Sequence, residues 1–94
     1  MYTIRRTKGF EKSFKKIRHA GLTKKNERVI ASVVDVLATG KVLDKKYRDH
    51  QLTGNMKDYR ECHVLNDLLL MYRIENEELI LVLVDIGSHS QLFG

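Results

Sequence analysis

The chain lacks several features that define common protein classes. Its 94 residues include no proline, no tryptophan and a single cysteine, Cys62. One cysteine excludes an internal disulfide and a cysteine-pair metal site, and it is typical of a reducing compartment. The longest apolar runs, Leu68–Tyr72 and Leu79–Val84, are too short to span a bilayer. The segment from Met1 to Phe10 has no apolar stretch of the kind that a secretory signal carries. We therefore expect a cytoplasmic protein with no membrane association.

Familiar catalytic and ligand-binding motifs are missing as well. The chain has no Gly-x-x-x-x-Gly-Lys phosphate loop, no Gly-x-Ser-x-Gly nucleophile elbow and no His-x-x-x-His metal-binding pair. It also has no internal repeat and no low-complexity stretch. The length is that of one domain, residues 1–94, and an apolar fraction of 43% is typical of a folded globule. These observations predict a single domain without a bound metal or cofactor.

Charge is distributed very unevenly along the chain. Residues 1–48 hold 14 of the 17 lysines and arginines against four acids, a net charge of +10. Residues 49–94 hold three bases and eight acids, a net charge of −5. A basic face of this kind favours a polyanionic partner, either RNA or an acidic protein, although a solvated lysine-rich surface has the same composition.

Two amphipathic helices are predicted in the basic half. The first follows a Thr7 N-cap, stops at Gly21, and repeats apolar residues at helical spacing at Phe10, Phe14 and Ile17. The second follows a Thr23 cap and ends at Gly40. Because the link between them is short, we expect an antiparallel helical hairpin.

Four segments read as strands: Tyr2–Arg6, Tyr59–Leu65, Leu68–Ile74 and Leu79–Val84. The last three are joined by tight turns, and residues 41–57 form a polar loop before them. The sequence thus predicts an α+β fold of two layers in the order β-α-α-β-β-β, with an antiparallel sheet covered on one face by the helical hairpin.

Candidate chemistry centres on histidine, which titrates nearest neutral pH and commonly serves as a general acid or base. His50 lies in the loop, His63 lies in mid-strand on the side of Glu61, and His89 follows Gly87. Each also has an ordinary structural interpretation as a surface or partly buried residue. Phe93 belongs to no periodic pattern, so it either stacks on a base or packs the tail against the domain.

These residues lie within segments that resemble the YafQ-type toxins of the RelE superfamily. The similarity is carried in order by Tyr47–Gly54, Lys57–Val64, Asp67, Tyr72 and Gly87–Phe93. It implies a RelE-like fold and a type II toxin that cleaves mRNA in the ribosomal A site. It further implies metal-independent acid–base catalysis through a 2′,3′-cyclic phosphate, without a cofactor. The implied partners are the ribosome, mRNA and a cognate RelB/DinJ-like antitoxin, with operator DNA reached only through that antitoxin.

Carried over position by position, the resemblance assigns catalysis to His50, His63, Asp67 and His89. His89 is the expected general acid, and the base is either His50 or Asp67 acting with His63. Phe93 is expected to contact RNA.

The family often has an arginine at the position of Asp85, where it would hold the phosphate. In this chain the cation is therefore expected from Lys57, Arg60 or Arg73, with Arg60 the first choice because it matches the family pattern.

Three other interpretations remain open at this stage. A RelE-fold toxin of the ParE type poisons gyrase by binding, without cutting RNA. A catalytically weak toxin, which Asp85 favours, would act mainly in its antitoxin complex and in operon autoregulation. A plain RNA-binding domain would not depend on the three histidines.

Overall fold

Five strands and three α-helices make up the computed structural model, which describes residues 1–94. The strands are β1 (Thr3–Arg6), β2 (His50–Gln51), β3 (Arg60–Leu65), β4 (Leu68–Glu75) and β5 (Ile80–Gly87). The helices are α1 (Lys8–His19), α2 (Lys24–Ala38) and α3 (His89–Phe93). Short 3₁₀ turns at Lys45–Tyr47 and Gly54–Met56 flank β2. The predicted β-α-α-β-β-β order is confirmed, with β2 and α3 as additions to it.

Hydroxyl caps begin both long helices where the sequence predicts them. The Thr7 side chain accepts the backbone N–H of Phe10 at 2.9 Å, and the Thr23 side chain accepts that of Asn26 at 3.1 Å. Gly21 and Gly40 follow the helix ends at φ of 106° and 80°, a region that glycine enters without steric cost. No helix in the structure combines the length and the apolar character that a membrane crossing needs.

The sheet has the strand order β1-β5-β4-β3-β2. Neighbours are antiparallel except for β1, which runs parallel to β5 from Thr3 opposite Ile80 to Arg6 opposite Leu83. The prediction of a wholly antiparallel sheet is therefore wrong at this edge. A parallel neighbour requires a long crossover, and here that crossover contains both long helices and the other strands.

One face of the sheet packs against α1 and α2 to form the core. Phe10, Ile30, Val33 and Leu37 supply the helical side. The strand side is supplied by alternate residues of the three central strands: Cys62, Val64, Leu70, Tyr72, Leu81, Leu83 and Ile86.

An irregularity in β5 interrupts this alternation. Tyr72 pairs with Leu83 but Met71 pairs with Asp85, so Val84 is an extra residue between them. The shift places Ile86 with Leu83 on the core side, and β5 continues to Gly87 instead of ending at the predicted Val84. The bulge therefore explains why the alternation of apolar residues in the sequence ends before strand β5 ends.

Candidate active site

The predicted catalytic residues gather on and beside the sheet face opposite the long helices. We call this the site face and define it by Glu61, His63, Leu69, Met71 and Arg73. Strand alternation puts these residues on one side, because Cys62, Leu70 and Tyr72 between them belong to the helix-covered core.

Strand register arranges the site face in two rows that cross the sheet. In one row His63 lies opposite Leu69, and Leu69 lies opposite Gly87. In the next row His50 lies opposite Glu61, which lies opposite Met71. Directly opposed residues on neighbouring strands are about 4.5–5.5 Å apart, so each row is a set of adjacent side chains.

His50 is held at both ring nitrogens. Its Nδ1 lies 2.8 Å from the carbonyl oxygen of Arg48, and its Nε2 lies 3.0 Å from Oε1 of Glu61. Both ring nitrogens therefore face oxygen atoms of the protein, and neither is open to a substrate hydroxyl.

Glu61 is the one charged residue in the interior. It is only 6% exposed, and its Oε2 makes no hydrogen bond to any protein group. A buried carboxylate without full hydrogen bonding costs stability, so its presence indicates a functional constraint at this position. The constraint visible in the structure is its pairing with His50.

A second polar cluster secures the loop that leads into His50. The Tyr72 hydroxyl donates to Oδ1 of Asp49, and Nη2 of Arg60 donates to Oδ2 of the same carboxylate at 3.3 Å. Nε of Arg60 also donates to the Tyr72 hydroxyl at 3.2 Å.

Burial raises the pKa of Tyr72, and the hydrogen bond to Asp49 acts in the same direction, so the phenol keeps its proton and remains a donor. This cluster fixes the residue directly before His50 in the chain.

At the other end of the site face, Asp67 and His89 come together. Asp67 lies in the turn between β3 and β4, and its Oδ1 accepts the backbone N–H of His89 at 3.4 Å. Helix α3 begins with a capping box, in which the Ser88 side chain accepts from Gln91 and the Gln91 side chain accepts from Ser88. This short helix places His89 just beyond the row that contains His63 and Gly87.

Phe93 packs on His89 within α3. The two rings have centroids 5.2 Å apart and are tilted by 44°, and Phe93 remains 38% exposed. Residues four apart share one side of a helix, so this contact orients the imidazole. Of the two interpretations left open by the sequence, packing of the tail is the one that the contact supports directly.

The three predicted cations occupy different positions. Arg60 is engaged by Asp49 and Tyr72, and these contacts raise its pKa against the opposing effect of partial burial. Arg73 lies on the site face, where Nη2 is 2.9 Å from Oε2 of Glu75. Lys57 is exposed at the end of a 3₁₀ turn.

Asp85, where the family often has an arginine, lies opposite Met71 and accepts the N–H of Ile86 at 2.8 Å. It therefore brings a negative charge to the end of the row that contains Glu61.

Sequence reasoning missed Glu61, the Asp49–Tyr72 contact and the capping box. The sequence could have indicated Glu61, because it alternates with the apolar Cys62 and Val64 and lies on the same side of the strand as His63. The Ser88-x-x-Gln91 spacing is likewise a recognised helix start. No sequence pattern indicates the Asp49–Tyr72 contact, since the two residues are 23 positions apart in the chain.

No three His, Cys, Asp or Glu side chains are placed to hold one metal ion. His50 Nε2 and Glu61 Oε1 are already paired with each other, and Cys62 is fully buried in the core. The residues present therefore do not fit a metal centre, and no catalytic step is assigned to one.

Comparison with known proteins places these features in a family. A family model described as "Bacterial toxin of type II toxin-antitoxin system, YafQ" matches residues 2–94. The mRNA interferase toxin YafQ of Escherichia coli K12 is 40% identical over 48 residues, or 51% of this chain and 50% of that protein. The aligned part thus spans about half the length of the curated relatives that the chain matches.

Solved structures extend the similarity to the whole chain. A metal-bound toxin from Helicobacter pylori is 46% identical with a TM-score of 0.88, covering 99% of this chain and 100% of the other. YafQ in the E. coli DinJ–YafQ complex is 26% identical with a TM-score of 0.85, covering 100% of both chains. With residues 2–94 matched and the fold shared, the chain belongs to the YafQ family of bacterial toxins from type II toxin–antitoxin systems.

Proposed function

We propose that this chain is a ribosome-dependent mRNA endoribonuclease that acts in the cytoplasm and is neutralised by a cognate antitoxin. The observation that carries the proposal is the row across the site face, which runs from His63 through Leu69 to Gly87, two residues before the His89 whose backbone N–H Asp67 accepts. Membership of the YafQ family supports it, as does the relative named as an mRNA interferase.

The reaction requires one proton to be removed and one to be supplied. The ribose 2′-oxygen forms a bond to the adjacent phosphorus while the bond from phosphorus to the 5′-oxygen breaks. A base takes the proton of the 2′-hydroxyl, and an acid gives a proton to the departing 5′-oxygen. The products are a 2′,3′-cyclic phosphate and a 5′-hydroxyl, and no redox partner is needed.

His63 is the base in this proposal. Its imidazole takes part in none of the side-chain hydrogen bonds or ion pairs of the site, and the ring is partly exposed, so a nitrogen remains free for the 2′-hydroxyl. His50 is a poorer base because both of its nitrogens face acceptors. Of the alternatives open from the sequence, we therefore prefer His63 over His50, with Asp67 bound to the backbone N–H of His89 and not to His63.

His89 is the general acid. It is exposed on the first turn of α3, where the Phe93 ring packs on its imidazole and the Asp67 carboxylate accepts its backbone N–H. His63 lies at the β3 end of the row that continues through Leu69 to Gly87, and His89 lies just beyond its β5 end. A phosphodiester that crosses Leu69 therefore meets the base on one side and the acid on the other.

Charge stabilisation falls to Arg73 and to the RNA environment of the ribosome. Arg73 is the predicted cation that lies on the site face, where Glu75 holds its guanidinium. Arg60 lies opposite Tyr72 on the other face, bound to Asp49 and Tyr72. We assign Arg60 a positioning role through the loop before His50. Lys57, which is exposed, is assigned to non-specific contact with RNA phosphates.

A RelB/DinJ-like antitoxin is the proposed protein partner. The E. coli relative of similar fold was crystallised as a DinJ–YafQ complex. The net charge of +10 over residues 1–48 offers complementarity to an acidic partner. In this proposal the toxin reaches operator DNA only through the antitoxin.

The deciding experiment is cleavage of a reporter mRNA by purified protein, with and without translating ribosomes, with mapping of new 5′ ends. We expect cuts only with ribosomes, carrying 5′-hydroxyl ends, and their loss in His63→Ala and His89→Ala. His19→Ala is the matched control, because His19 ends α1 outside the site face, and it should cut like the wild type.

Other outcomes separate the competing functions. Intact mRNA in the presence of ribosomes, together with inhibited gyrase, would establish the binding-only alternative. Cleavage that survives both histidine substitutions would reject the assigned catalytic roles while retaining the enzyme.

A further inference from the structure

A cavity of about 440 Å³ lies beside the edge of β3, and His63 is the one residue of the proposed catalytic set that lines it. Strand β2 covers β3 only at Arg60 and Glu61, so the stretch from His63 to Leu65 has no strand neighbour on that side. The 3₁₀ turn Lys45–Tyr47 and Arg48 flank this stretch instead. We call the space between them the edge cavity.

The lining of the edge cavity combines the groups that recognise a nucleotide. Lys46 and Arg48 supply positive charge, Tyr47 an aromatic ring and Asn66 an amide, while the remaining wall is aliphatic apart from His63. None of the eight lining residues is acidic. Cations attract a phosphate, an aromatic face stacks on a base, and the volume lies within the range of small-ligand sites.

The turn that carries these side chains has a fixed conformation. Arg48 adopts φ 51° and ψ 42°, a left-handed conformation that residues other than glycine seldom take. Its N–H donates to the carbonyl of Lys45 at 3.0 Å, and its carbonyl accepts from Nδ1 of His50 at 2.8 Å. Such strain is characteristic of functional sites. Here the Arg48 backbone connects the edge cavity to the His50–Glu61 pair.

The edge cavity is continuous with the proposed active site through His63. Residues before His50 run alongside residues after Glu61, because the two strands are antiparallel, and this brings Arg48 beside His63. The order across the sheet is therefore Arg48, His63, Leu69 and then Gly87 with His89 beyond it. The edge cavity lies on the His63 side and away from His89.

We propose that the edge cavity binds the nucleotide on the 5′ side of the cleaved phosphodiester. The Tyr47 ring stacks on its base, and Lys46 and Arg48 hold its phosphate. The assignment to the 5′ nucleotide follows from the proposed roles, because His63 accepts the proton of the 2′-hydroxyl and that hydroxyl belongs to the 5′ nucleotide. Lys46 Nζ lies 5.2 Å from the centre of the Tyr47 ring, so a cation stands next to the aromatic surface. This inference rests on the proposed function.

The test measures binding separately from cleavage. Ribosomes are programmed with an mRNA whose scissile 2′-hydroxyl is replaced by 2′-O-methyl, and toxin affinity is measured for this RNA. Two further RNAs lack the base either 5′ or 3′ of the blocked linkage. We expect Tyr47→Leu to weaken binding roughly 10-fold or more, and Tyr47→Phe, which keeps the ring, to bind like the wild type.

Combining base removal with the Tyr47 substitution identifies the base on which Tyr47 stacks, because the two losses are then not additive. Removal of the 5′ base should weaken the wild type but leave Tyr47→Leu almost unaffected, whereas removal of the 3′ base should weaken both proteins equally. Lys46→Ala should weaken binding more than Lys45→Ala, its neighbour in the same turn that does not line the edge cavity. Equal effects of the two lysines, or coupling of Tyr47 to the 3′ base, would overturn the proposal.

The two proposals fail in different ways. If wild-type protein binds the blocked RNA in a Tyr47-dependent manner but leaves unmodified mRNA intact, the cleavage function is wrong and the edge cavity stands. If it cuts unmodified mRNA while Tyr47→Leu binds normally, the function stands and the edge cavity assignment is wrong.

Discussion

Replacing the buried carboxylate of Glu61 should make this protein more stable and less active. In Glu61→Met a side chain of similar length and no charge takes the place of a residue that is 6% exposed. The sulfur and methyl group would lie beside Met71, the neighbour of Glu61 across the sheet. The substitution removes the one buried side-chain oxygen that lacks a hydrogen-bond partner in the protein.

The expected magnitude follows from two opposing contributions. A buried polar group without its hydrogen bond costs about 1–3 kcal/mol, and this cost disappears in the variant. The ion pair with His50 is lost, but a pair with a half-exposed partner contributes only about 0–1 kcal/mol. The free energy of unfolding should therefore rise by about 1–2 kcal/mol. For a domain of this size, each kcal/mol raises Tm by about 4–8 °C.

Activity should change in the opposite direction. Without Oε1 of Glu61, Nε2 of His50 loses its partner, and the imidazole is no longer held against the site face. Misplacement of an active-site group by about 1 Å can cost as much as 100-fold in rate, so ribosome-dependent cleavage should fall at least several-fold. The assays are urea unfolding followed by circular dichroism and 5′-end mapping of the reporter mRNA.

Glu77→Met is the matched control, because Glu77 is exposed in the turn between β4 and β5, and its stability should stay within about 0.5 kcal/mol of the wild type. A Glu61→Met protein less stable than the wild type would refute the reasoning, since it would show that the Glu61 carboxylate stabilises the fold. A more stable variant with unchanged cleavage would instead show that the His50–Glu61 pair is not needed for catalysis.

Three further predictions concern positions around the site. Tyr72→Phe removes the donor to Asp49, so the free energy of unfolding should fall by about 1–3 kcal/mol, and kcat should fall more than KM rises. Unchanged stability and kinetics would show that the Asp49 contact is dispensable. Burial raises the pKa of the Cys62 thiol from 9.0 to about 12, so the folded protein keeps a proton that the unfolded chain releases. Its contribution to stability should be complete below pH 9 and decline by about 1.4 kcal/mol per unit towards pH 12, and Cys62→Ala should make the alkaline decline in urea unfolding shallower. Ser88→Ala removes the α3 cap and should increase amide hydrogen exchange in α3 and reduce cleavage, while unchanged exchange would contradict a role for the cap.

Much of the local structure was determined by the sequence itself. Helical periodicity and the hydroxyls of Thr7 and Thr23 define α1 and α2, because a cap and an amphipathic face depend on residues three or four positions apart. The three-strand meander follows in the same way from alternation and tight turns. The identities of His50, His63, Asp67 and His89 as site candidates came from motif resemblance, and their roles remain predictions.

Only the tertiary structure decided which distant residues meet. The parallel pairing of β1 with β5 joins segments at opposite ends of the chain, and no local pattern encodes such a partner. The bulge at Val84 reverses the alternation of β5, so the orientation of Asp85 and Ile86 could not be read from spacing. Arg60 matched the family motif as a phosphate-binding cation, yet the fold places it against Asp49 and Tyr72, because pairing of β3 with β4 sets it opposite Tyr72. The sequence specified which functional groups are present. Sheet register decided the partner, the burial and the free hydrogen-bonding capacity of each functional group, and these three properties control the chemistry of that group.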